Sequence, residues 1–296
     1  MNLSKHIFSL MLCACISFTN AQNNAIKIET HQLSEQIYML TGQGGNIGLF
    51  IGDDGVFMID DQYAPLTPKI LAAIKNITSK PVSYLINTHW HGDHTGGNEN
   101  MKKTGATIIA HENVRKRMKK ENILLGEHKP ASPKEALPDV TFTDDMMFHI
   151  NNDDVLVSHV HNAHTDGDSF VYFTKNNIIH MGDLYFQGKF PFIDLDSGGS
   201  ISGYINAVNK ILMIANDDTK IIPGHRNASN KAELIIFRDM LVTIKTRIQQ
   251  EIDDKKTLED VTKNSELTKE FNNEYGGWFI SEDVFRATVY KSLNAE

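Results

Sequence analysis

One short stretch, from Asn87 to Asn98, constrains this chain more than any other, because three imidazoles and a carboxylate fall within six of its residues. It follows an apolar run from Val82 to Ile86 that predicts a buried strand, so the stretch lies where a strand ends and a loop opens. His89 and His91 are two residues apart, and on an extended backbone such side chains point to the same side. Together they can bind one metal ion.

The residues that follow extend this pattern. Asp93 and His94 come next, and Gly92 allows the chain to curl so that they face a second ion nearby. Gly96 and Gly97 allow a close backbone approach beneath the site. A solvated turn needs no imidazoles and a core histidine usually occurs alone, so the stretch predicts a metal centre.

The pattern His89-x-His91-x-Asp93-His94 resembles the signature of the metallo-β-lactamase superfamily. Four further segments follow the order of that superfamily: Gly55–Asp61, Ala163–Asp168, Met181–Asp183 and Pro223–His225. The resemblance runs from about residue 26 to residue 225. It implies an α/β fold, the αβ/βα four-layer sandwich, in which two mixed β-sheets are flanked by helices and the metals lie at the shared edge of the sheets.

The resemblance also implies a ligand set for two divalent ions. One ion would take His89, His91 and His164, the other would take Asp93, His94 and His225, and Asp183 would lie between them. Asp60 is expected to accept a hydrogen bond from an imidazole and thereby fix its tautomer. Zinc is the expected metal. Several β-lactamases have cysteine where this chain has Asp183, so manganese or iron is less strongly excluded here.

The chain has 13 histidines, so the remaining ones must be distinguished from ligands. His159 and His161 alternate along a predicted strand and are expected to be partly exposed, whereas His164 stands in the following loop. His180, on the strand that leads to Asp183, is predicted not to be a ligand. The others lack a ligand partner at a useful spacing: His31, His111, His128 and His149.

Residues 1–21 predict a secretory signal, with an apolar run from Ile7 to Phe18 and a small-residue cleavage site that ends at Ala21. The run is too short to span a bilayer. Lipid attachment at Cys15 is an alternative. The chain from 22 to 296 is then predicted to be one domain with a C-terminal helical segment, periplasmic or secreted.

Charge argues against one class of substrate, and cysteine content indicates whether the mature chain has disulfides. The formal net charge is −8 without a basic stripe, which argues against a nucleic-acid substrate. Cys13 and Cys15 are the only cysteines and both lie in the predicted signal, so the mature chain would have no disulfide. The sequence leaves the oligomeric state open.

Alternating apolar runs and turn residues predict two meanders, each followed by a helix and a strand. The first half comprises strands at Ile37–Leu40, Ile47–Ile51 and Val56–Asp60, a helix at Pro68–Ile77, strands at Val82–Ile86 and Thr107–Ala110, a helix at His111–Lys120 and a loop at Glu121–Pro138. The second comprises strands at Val140–Phe142, Met146–Ile150, Val155–Val160, Ser169–Thr174 and Ile178–Met181, a helix at Ile201–Ala215, a strand at Lys220–Ile222 and helices after Asn230.

The predicted centre supports hydrolysis of a small-molecule carbonyl substrate. Two ions ~3.5–4 Å apart can share a water and lower its pKa from about 15.7 toward 7, and Asp93 would orient the nucleophile as the catalytic residue. Hydrolysis of cyclic amides, as by β-lactamases, is the favoured reaction. A lactonase or a glyoxalase-II-like thioesterase is the alternative, and a periplasmic metal-binding protein without turnover is the third hypothesis.

The substrate pocket is predicted from weaker signals. Aromatic residues after Asp183 and in the C-terminal helices form either pocket walls or core: Tyr185, Phe186, Phe190, Phe192, Trp278, Phe279 and Phe285. Lys189 would bind a substrate carboxylate, although its spacing from Asp183 differs from that of the usual lactamase lysine. Arg226 would either bind such a carboxylate or pair with an acid.

Overall fold

The computed structural model describes residues 26–296, so the predicted signal and both cysteines lie outside the described residues. Along this range the strands are β1 (Glu29–Gln32), β2 (Ile37–Thr41), β3 (Ile47–Gly52), β4 (Gly55–Ile59), β5 (Val82–Asn87), β6 (Thr107–His111), β7 (Asn122–Leu124), β8 (Glu127–Lys129), β9 (Val140–Phe142), β10 (Asp145–Ile150), β11 (Asp153–His159), β12 (Ser169–Phe173), β13 (Ile178–Phe186), β14 (Lys220–His225) and β15 (Ser229–Asn230).

The helices of the same range are α1 (Thr67–Ile77), α2 (Gly92–Thr95), α3 (Asn98–Lys103), α4 (Glu112–Met118), α5 (Ile201–Ile214), α6 (Lys231–Asp253), α7 (Leu258–Lys263), α8 (Asn272–Tyr275) and α9 (Glu282–Ala295). Short 3₁₀ turns lie between them, at Ala64–Leu66, Lys134–Ala136, Leu195–Ser197, Ser265–Leu267 and Lys269–Phe271. Within 26–296, no helix is both long enough and apolar enough to cross a bilayer.

Two large sheets form the centre of the fold. The first has the order β1-β2-β3-β4-β5-β6-β9, antiparallel from β1 to β4 and parallel from β4 to β9. The second runs β10 to β15 in chain order, and its β13 and β14 are parallel. Parallel neighbours end at the same edge of a sheet, so the residues after β4 and β5 come together, as do those at the ends of β13 and β14.

Strand β4 shows why the sheets become inner layers. Successive side chains of a strand point to opposite faces, and both faces of β4 are apolar. Val56 and Met58 pack toward the helices α1 and α3, whereas Phe57 and Ile59 pack toward the second sheet. A strand of this kind is stable only when both of its faces are covered.

Aromatic side chains hold the two sheets together. Phe50 of β3 and Phe57 of β4 both contact Phe173 of β12, with ring centroids 5.2 and 6.4 Å apart in edge-on arrangements. Such pairs add to the free energy gained by burying each ring, which is about 1.5–3 kcal/mol. Phe173→Ala would therefore open a cavity between the sheets and cost about 3–5 kcal/mol of stability.

The outer face of the second sheet is covered by α5, α6 and α9. Tyr204 of α5 and Phe237 of α6 are fully buried there, together with Phe285 of α9. The Ser200 side chain caps α5 by accepting a hydrogen bond from the Gly203 amide. The layers are thus helix, sheet, sheet, helix, which confirms the predicted αβ/βα sandwich.

Three details differ from the prediction. Strand β9 was expected in the second meander but pairs in parallel with β6, where Ile109 is opposite Val140. The segment Glu121–Pro138, predicted as a loop, contains the β7–β8 hairpin and a 3₁₀ turn. Strand β1 was not predicted, because its four residues are all exposed and carry no apolar alternation.

Candidate metal centre

The predicted ligands meet at one edge of the sandwich. His89 and His91 follow the end of β5, and His164 lies in the loop between β11 and β12. Asp183 lies near the end of β13, and His225 is the last residue of β14. The short helix α2 contributes Asp93 and His94. These residues form two groups whose ligand atoms lie within 4.8 Å of one another: His89, His91, His164 and Asp183, and Asp93, His94 and His225.

The first group, here called the three-histidine half, is buried. His91 Nδ1 lies 2.9 Å from His164 Nε2. The three rings stand nearly perpendicular to one another, at 86–87°, with centroids 4.7–4.8 Å apart. Asp183 Oδ2 lies 3.7 Å from His89 Nε2 and 3.5 Å from His164 Nε2. Three nitrogens and one oxygen therefore lie close enough together to bind one divalent cation.

The second group, here called the Asp93 half, lies beside the first and reaches the solvent. Asp93 Oδ2 is 3.3 Å from His225 Nε2 and 3.6 Å from His94 Nε2. The two imidazole nitrogens are 3.4 Å apart. The Asp93 and His225 side chains are 22% and 14% exposed, whereas that of His94 is fully buried. This half therefore presents two of its ligand atoms to incoming molecules.

Asp183 joins the halves. Its Oδ2 faces the three-histidine half, while Oδ1 lies 3.1 Å from His94 Nε2 and 3.3 Å from His225 Nε2. The register of β13 against β14 is shifted on both sides of Gly182, which turns the following carboxylate into the site. A Cβ on Gly224 would lie 2.1 Å from Asp183 Oδ1, so only glycine fits there.

Buried polar atoms without partners show that the residues fit metal ions. Within residues 26–296, His89 Nε2 and Asp183 Oδ1 are both buried and accept no hydrogen bond. An unpaired buried polar atom is costly, and native folds rarely leave one. Imidazole nitrogens and carboxylate oxygens are ligands that divalent cations take. Both orphaned atoms would be satisfied by metals held in the two halves.

Asp60 fixes the orientation of two imidazoles through hydrogen bonds, one direct and one through Thr88. Its Oδ2 lies 2.7 Å from His94 Nδ1 and also accepts a hydrogen bond from the Thr88 hydroxyl. That hydroxyl is 3.1 Å from His89 Nδ1 and can accept its proton. Both histidines then present Nε2 to the metal positions. Asp60 has a left-handed φ of 58°, a strained conformation of the kind that clusters at functional sites.

Asp194 is a positioning residue that the sequence did not reveal. Its Oδ2 lies 3.0 Å from His91 Nε2, so His91 donates that N–H and presents Nδ1 to the site. The Asp194 amide donates to the His164 carbonyl, 2.9 Å away. His164 Nδ1 in turn lies 2.7 Å from the Phe192 carbonyl. Asp194 lies 103 positions after His91 and belongs to no motif, so its contact with His91 can be seen only in the folded structure.

The two halves differ in their electrostatics. Burial lowers the pKa of His164 to about 4 and that of His89 well below its usual range. Burial would also lower the pKa of His225, but Asp183 and Asp93 raise it to about 9. The pKa of His94 is likewise raised against burial by Asp183. Burial would raise the pKa of Asp93, but His94 and His225 lower it to about 2.

Gly96 and Gly97 allow the close approach that the sequence predicted. A Cβ on Gly97 would lie 2.9 Å from the Asp61 carboxylate carbon, and one on Gly96 would lie 2.8 Å from the Gln62 carbonyl. The Gly97 amide donates to Asp61 Oδ1 over 2.9 Å. These contacts press the histidine stretch against the turn after β4 and so keep the ligands in place.

A cavity of about 640 Å³ opens onto the metal centre. The residues that line it are Gln43, Gly44, Tyr63, His91, Asp93, Leu124, Leu125, Glu127, Lys129, Asp183, Phe186, Phe192, His225, Trp278 and Phe279. Phe192 and Trp278 thus line the cavity as predicted. The chain's own surface next to the metal positions is largely apolar and aromatic.

Three residues proposed for the pocket do not line the cavity. Tyr185 is buried against Phe237, with ring centroids 4.9 Å apart, because β13 continues to Phe186 with an irregular register after Gly182 that turns Tyr185 to the helix side. Phe190 is buried and stacks on Phe285. Lys189 donates to the Gly276 carbonyl over 2.6 Å instead of facing the cavity.

The other histidines lie away from the centre, and one expectation about them was wrong. His159 was expected to be partly exposed but is 6% exposed, because its ring stacks on His111 with centroids 3.7 Å apart. His161 is exposed beyond the end of β11. His180 is buried with Nε2 3.1 Å from the Asn46 carbonyl. Arg226 is exposed and does not line the cavity.

Comparisons with known proteins agree with this geometry. The sequence profile of the metallo-beta-lactamase superfamily matches residues 40–225. A hydroxyacylglutathione hydrolase from Pelagibacter ubique (strain HTCC1062) is 29% identical over 169 residues, which are 56% of this chain and 59% of that protein. The chain therefore spans less than two thirds of that relative's length.

Solved structures show the same fold. A metallo-beta-lactamase from Pontibacter korlensis superposes with a TM-score of 0.62 at 19% identity, over 73% of this chain and 99% of that one. The stereoselective inverting sec-alkylsulfatase Pisa1 from Pseudomonas sp. gives a TM-score of 0.69 at 16% identity, over 91% of this chain and 50% of that one. At such identities the likeness concerns the fold alone.

Proposed function

The chain belongs to the metallo-beta-lactamase superfamily, and from this premise we propose that it is a metallo-hydrolase that works with two divalent ions, of which zinc is the expected metal. The observation that carries the proposal is the placement of Asp183, whose two carboxylate oxygens face the two ligand groups separately. A single tetrahedral site would leave the Asp93 half without a role.

The residues would divide the work as follows. His89, His91 and His164 would hold one ion, and Asp93, His94 and His225 the other. Bound divalent ions supply a hydroxide near neutral pH and polarise a carbonyl oxygen. Asp93 faces the cavity and, with a pKa of about 2, is an anion that can accept a hydrogen bond from the attacking water. It thereby orients the nucleophile toward the carbonyl carbon and can pass a proton to the leaving group.

We infer that the substrate is an ester or thioester. The relative from Pelagibacter ubique is named for thioester hydrolysis, and Lys189 does not face the cavity, so it cannot hold the carboxylate of a β-lactam there. Hydrolysis of cyclic amides remains the second candidate, because the superfamily supports it.

A substrate panel tests this proposal. The purified, zinc-loaded protein would be assayed with acyl esters, an acyl thioester, a homoserine lactone and a chromogenic β-lactam. We expect turnover of the esters and the thioester, abolished by a chelator and restored by zinc. Turnover of the β-lactam alone would favour the second candidate. No turnover of any substrate by the metal-loaded protein would favour a metal-binding protein without catalysis.

We also propose that the chain is exported, on the sequence of its first 21 residues. Trimming after Ala21 would give a periplasmic or secreted enzyme that meets small molecules from outside the cell. Intact mass of the exported protein checks this, since a lipid-modified mass beginning at Cys15 would instead place it on a membrane surface.

A further inference from the structure

The β7–β8 hairpin, which the sequence did not predict, breaks a rule of turn chemistry. Its strands are joined by the two residues Leu125 and Gly126, which have φ values of 53° and 78°. Two-residue hairpin loops with positive φ at both positions strongly prefer Asn-Gly, Asp-Gly or Gly-Gly. Leucine is a poor choice for the left-handed region, since its Cβ crowds the backbone there.

The fold gains nothing from this leucine. Leu125 is 61% exposed, so its apolar side chain is neither buried nor packed into a core. A residue that strains the backbone and exposes apolar surface opposes stability in both respects. Local violations of this kind are expected at functional positions.

The hairpin lies at the opening of the cavity. Leu124 and Leu125 line the cavity together with His91 and Asp93, so the apolar surface is continuous with the metal centre. The cavity is also lined by Phe192, Trp278 and Phe279, and Phe279 is itself 50% exposed. Apolar side chains of the hairpin and of the C-terminal segment thus share one opening.

The charges of the hairpin favour an apolar occupant over an anion. The cation on this part of the cavity wall, Lys129, pairs with Glu127 over 2.6 Å. Both residues line the cavity, so their charges offset each other locally. A free carboxylate entering here would have to compete with Glu127 for the ammonium group.

We propose that the hairpin is a specificity element that binds an apolar acyl group of the substrate, with Leu125 as its principal contact. The inference rests on the proposed carbonyl hydrolase and names its substrate class: esters or thioesters of medium-length, unbranched or aromatic acids rather than of short polar ones. The apolar group lies in the opening shared with Trp278 and Phe279, and the scissile carbonyl lies at the metal centre.

An acyl-length series measures this contact. With acetyl, butyryl, hexanoyl and octanoyl esters of one leaving group, kcat/KM of the wild type should rise about twofold to fourfold per added methylene group until the opening is filled. Leu125→Asn places the residue that the turn prefers at this position, so the hairpin should be retained or stabilised. It removes the apolar contact, so the hexanoyl-to-acetyl ratio of kcat/KM should fall about fivefold to tenfold.

Ile123→Asn is the matched control. Ile123 lies on the same hairpin and is 50% exposed, but it does not line the cavity. This variant should keep the wild-type hexanoyl-to-acetyl ratio. Thermal unfolding of all three proteins separates specificity from folding, because Leu125→Asn should not lower the melting temperature.

Calorimetric binding of butyrate, hexanoate and octanoate gives a measurement that does not depend on turnover. Affinity should rise with chain length in the wild type and in Ile123→Asn, and much less in Leu125→Asn. If no ester is hydrolysed but this binding pattern holds, the proposed hydrolase fails and the apolar subsite stands. If acyl length has no effect in the wild type, or an equal effect in Leu125→Asn, the inference is overturned.

Discussion

The two halves of the metal centre use the same kinds of side chain in different states. In the three-histidine half, burial lowers the pKa values of His89 and His164, so the imidazoles are neutral and ready to bind. In the Asp93 half, carboxylates raise the pKa values of His94 and His225, so these imidazoles carry protons when no metal is bound. The first half is also the more deeply buried, whereas Asp93 and His225 of the second half are partly exposed. The comparison indicates an anchoring site beside a reactive one.

Among the substitutions considered, those of Asp93 should lower activity the most, and they test whether the Asp93 half is the reactive one. Asp93→Asn keeps the size of the side chain but removes the charge that orients the nucleophile, so kcat should fall about 10²–10⁴-fold while much of the metal is retained. Asp93→Ala should in addition weaken the second metal. Steady-state kinetics with elemental analysis of both variants measures the two effects separately. Turnover by Asp93→Asn at the wild-type rate with both metals bound would remove the proposed role.

The pH dependence of metal binding should differ between the halves. Below the raised pKa values of His94 and His225, a metal must displace two protons, so affinity of the Asp93 half should rise by about two powers of ten per pH unit between 6.5 and 7.5. In the three-histidine half, His89 and His164 are neutral in that range, so the affinity of this half should change less. Competition titrations with a chromophoric chelator measure both constants. An equal pH dependence of affinity for the two metals would contradict the proposed difference between the halves.

Asp194→Asn should affect the three-histidine half selectively. The neutral amide accepts a hydrogen bond from the His91 N–H more weakly than the carboxylate does, so that ring is held less firmly in its tautomer and orientation. Loss of such a contact typically lowers metal affinity about 10–100-fold. The same competition titration applies, and affinity of the Asp93 half should stay within a small factor. If both halves weaken equally, Asp194 supports the fold of the site rather than one of its ligands.

His159→Ala should have the smallest effect on the centre. His159 stacks on His111, its Nδ1 lies 2.7 Å from the Asp168 carbonyl, and burial lowers its pKa to about 4. It therefore has no charge to contribute at neutral pH and lies away from the ligands. Metal content and kcat/KM should stay within about twofold of wild type. A larger loss of metal would show that this second histidine cluster is coupled to the centre.

Much of the fold and of the site follows from local sequence. The apolar run Val56–Asp60 predicted strand β4, and the His89 stretch combines ligand spacing with the glycines that its packing needs. What the sequence did not show depends on distant contacts. Asp194 acquires its role from His91, and His159 is buried by His111. The β7–β8 hairpin was not predicted, because Leu125 occupies a turn position that usually holds asparagine, aspartate or glycine.

The residues that line the cavity show a second limit of prediction from sequence. Tyr185 and Phe186 are neighbours of similar character, yet Phe186 lines the cavity and Tyr185 is buried under the helices. Composition cannot separate them, because the face of each depends on how far β13 continues beyond Asp183. Regular alternation would place Tyr185 on the same side as Asp183, and the register shift between Gly182 and Phe186 prevents this.

The central claim is that the chain would hold two metal ions, one on each side of Asp183, and metal counting by native mass spectrometry tests it most directly. The mature protein, dialysed against zinc at pH 8 and freed of excess metal, should carry two ions. His225→Ala should lose the second ion first on lowering the pH and keep one ion in the three-histidine half. A wild-type protein that binds one ion or fewer under these conditions would contradict the account.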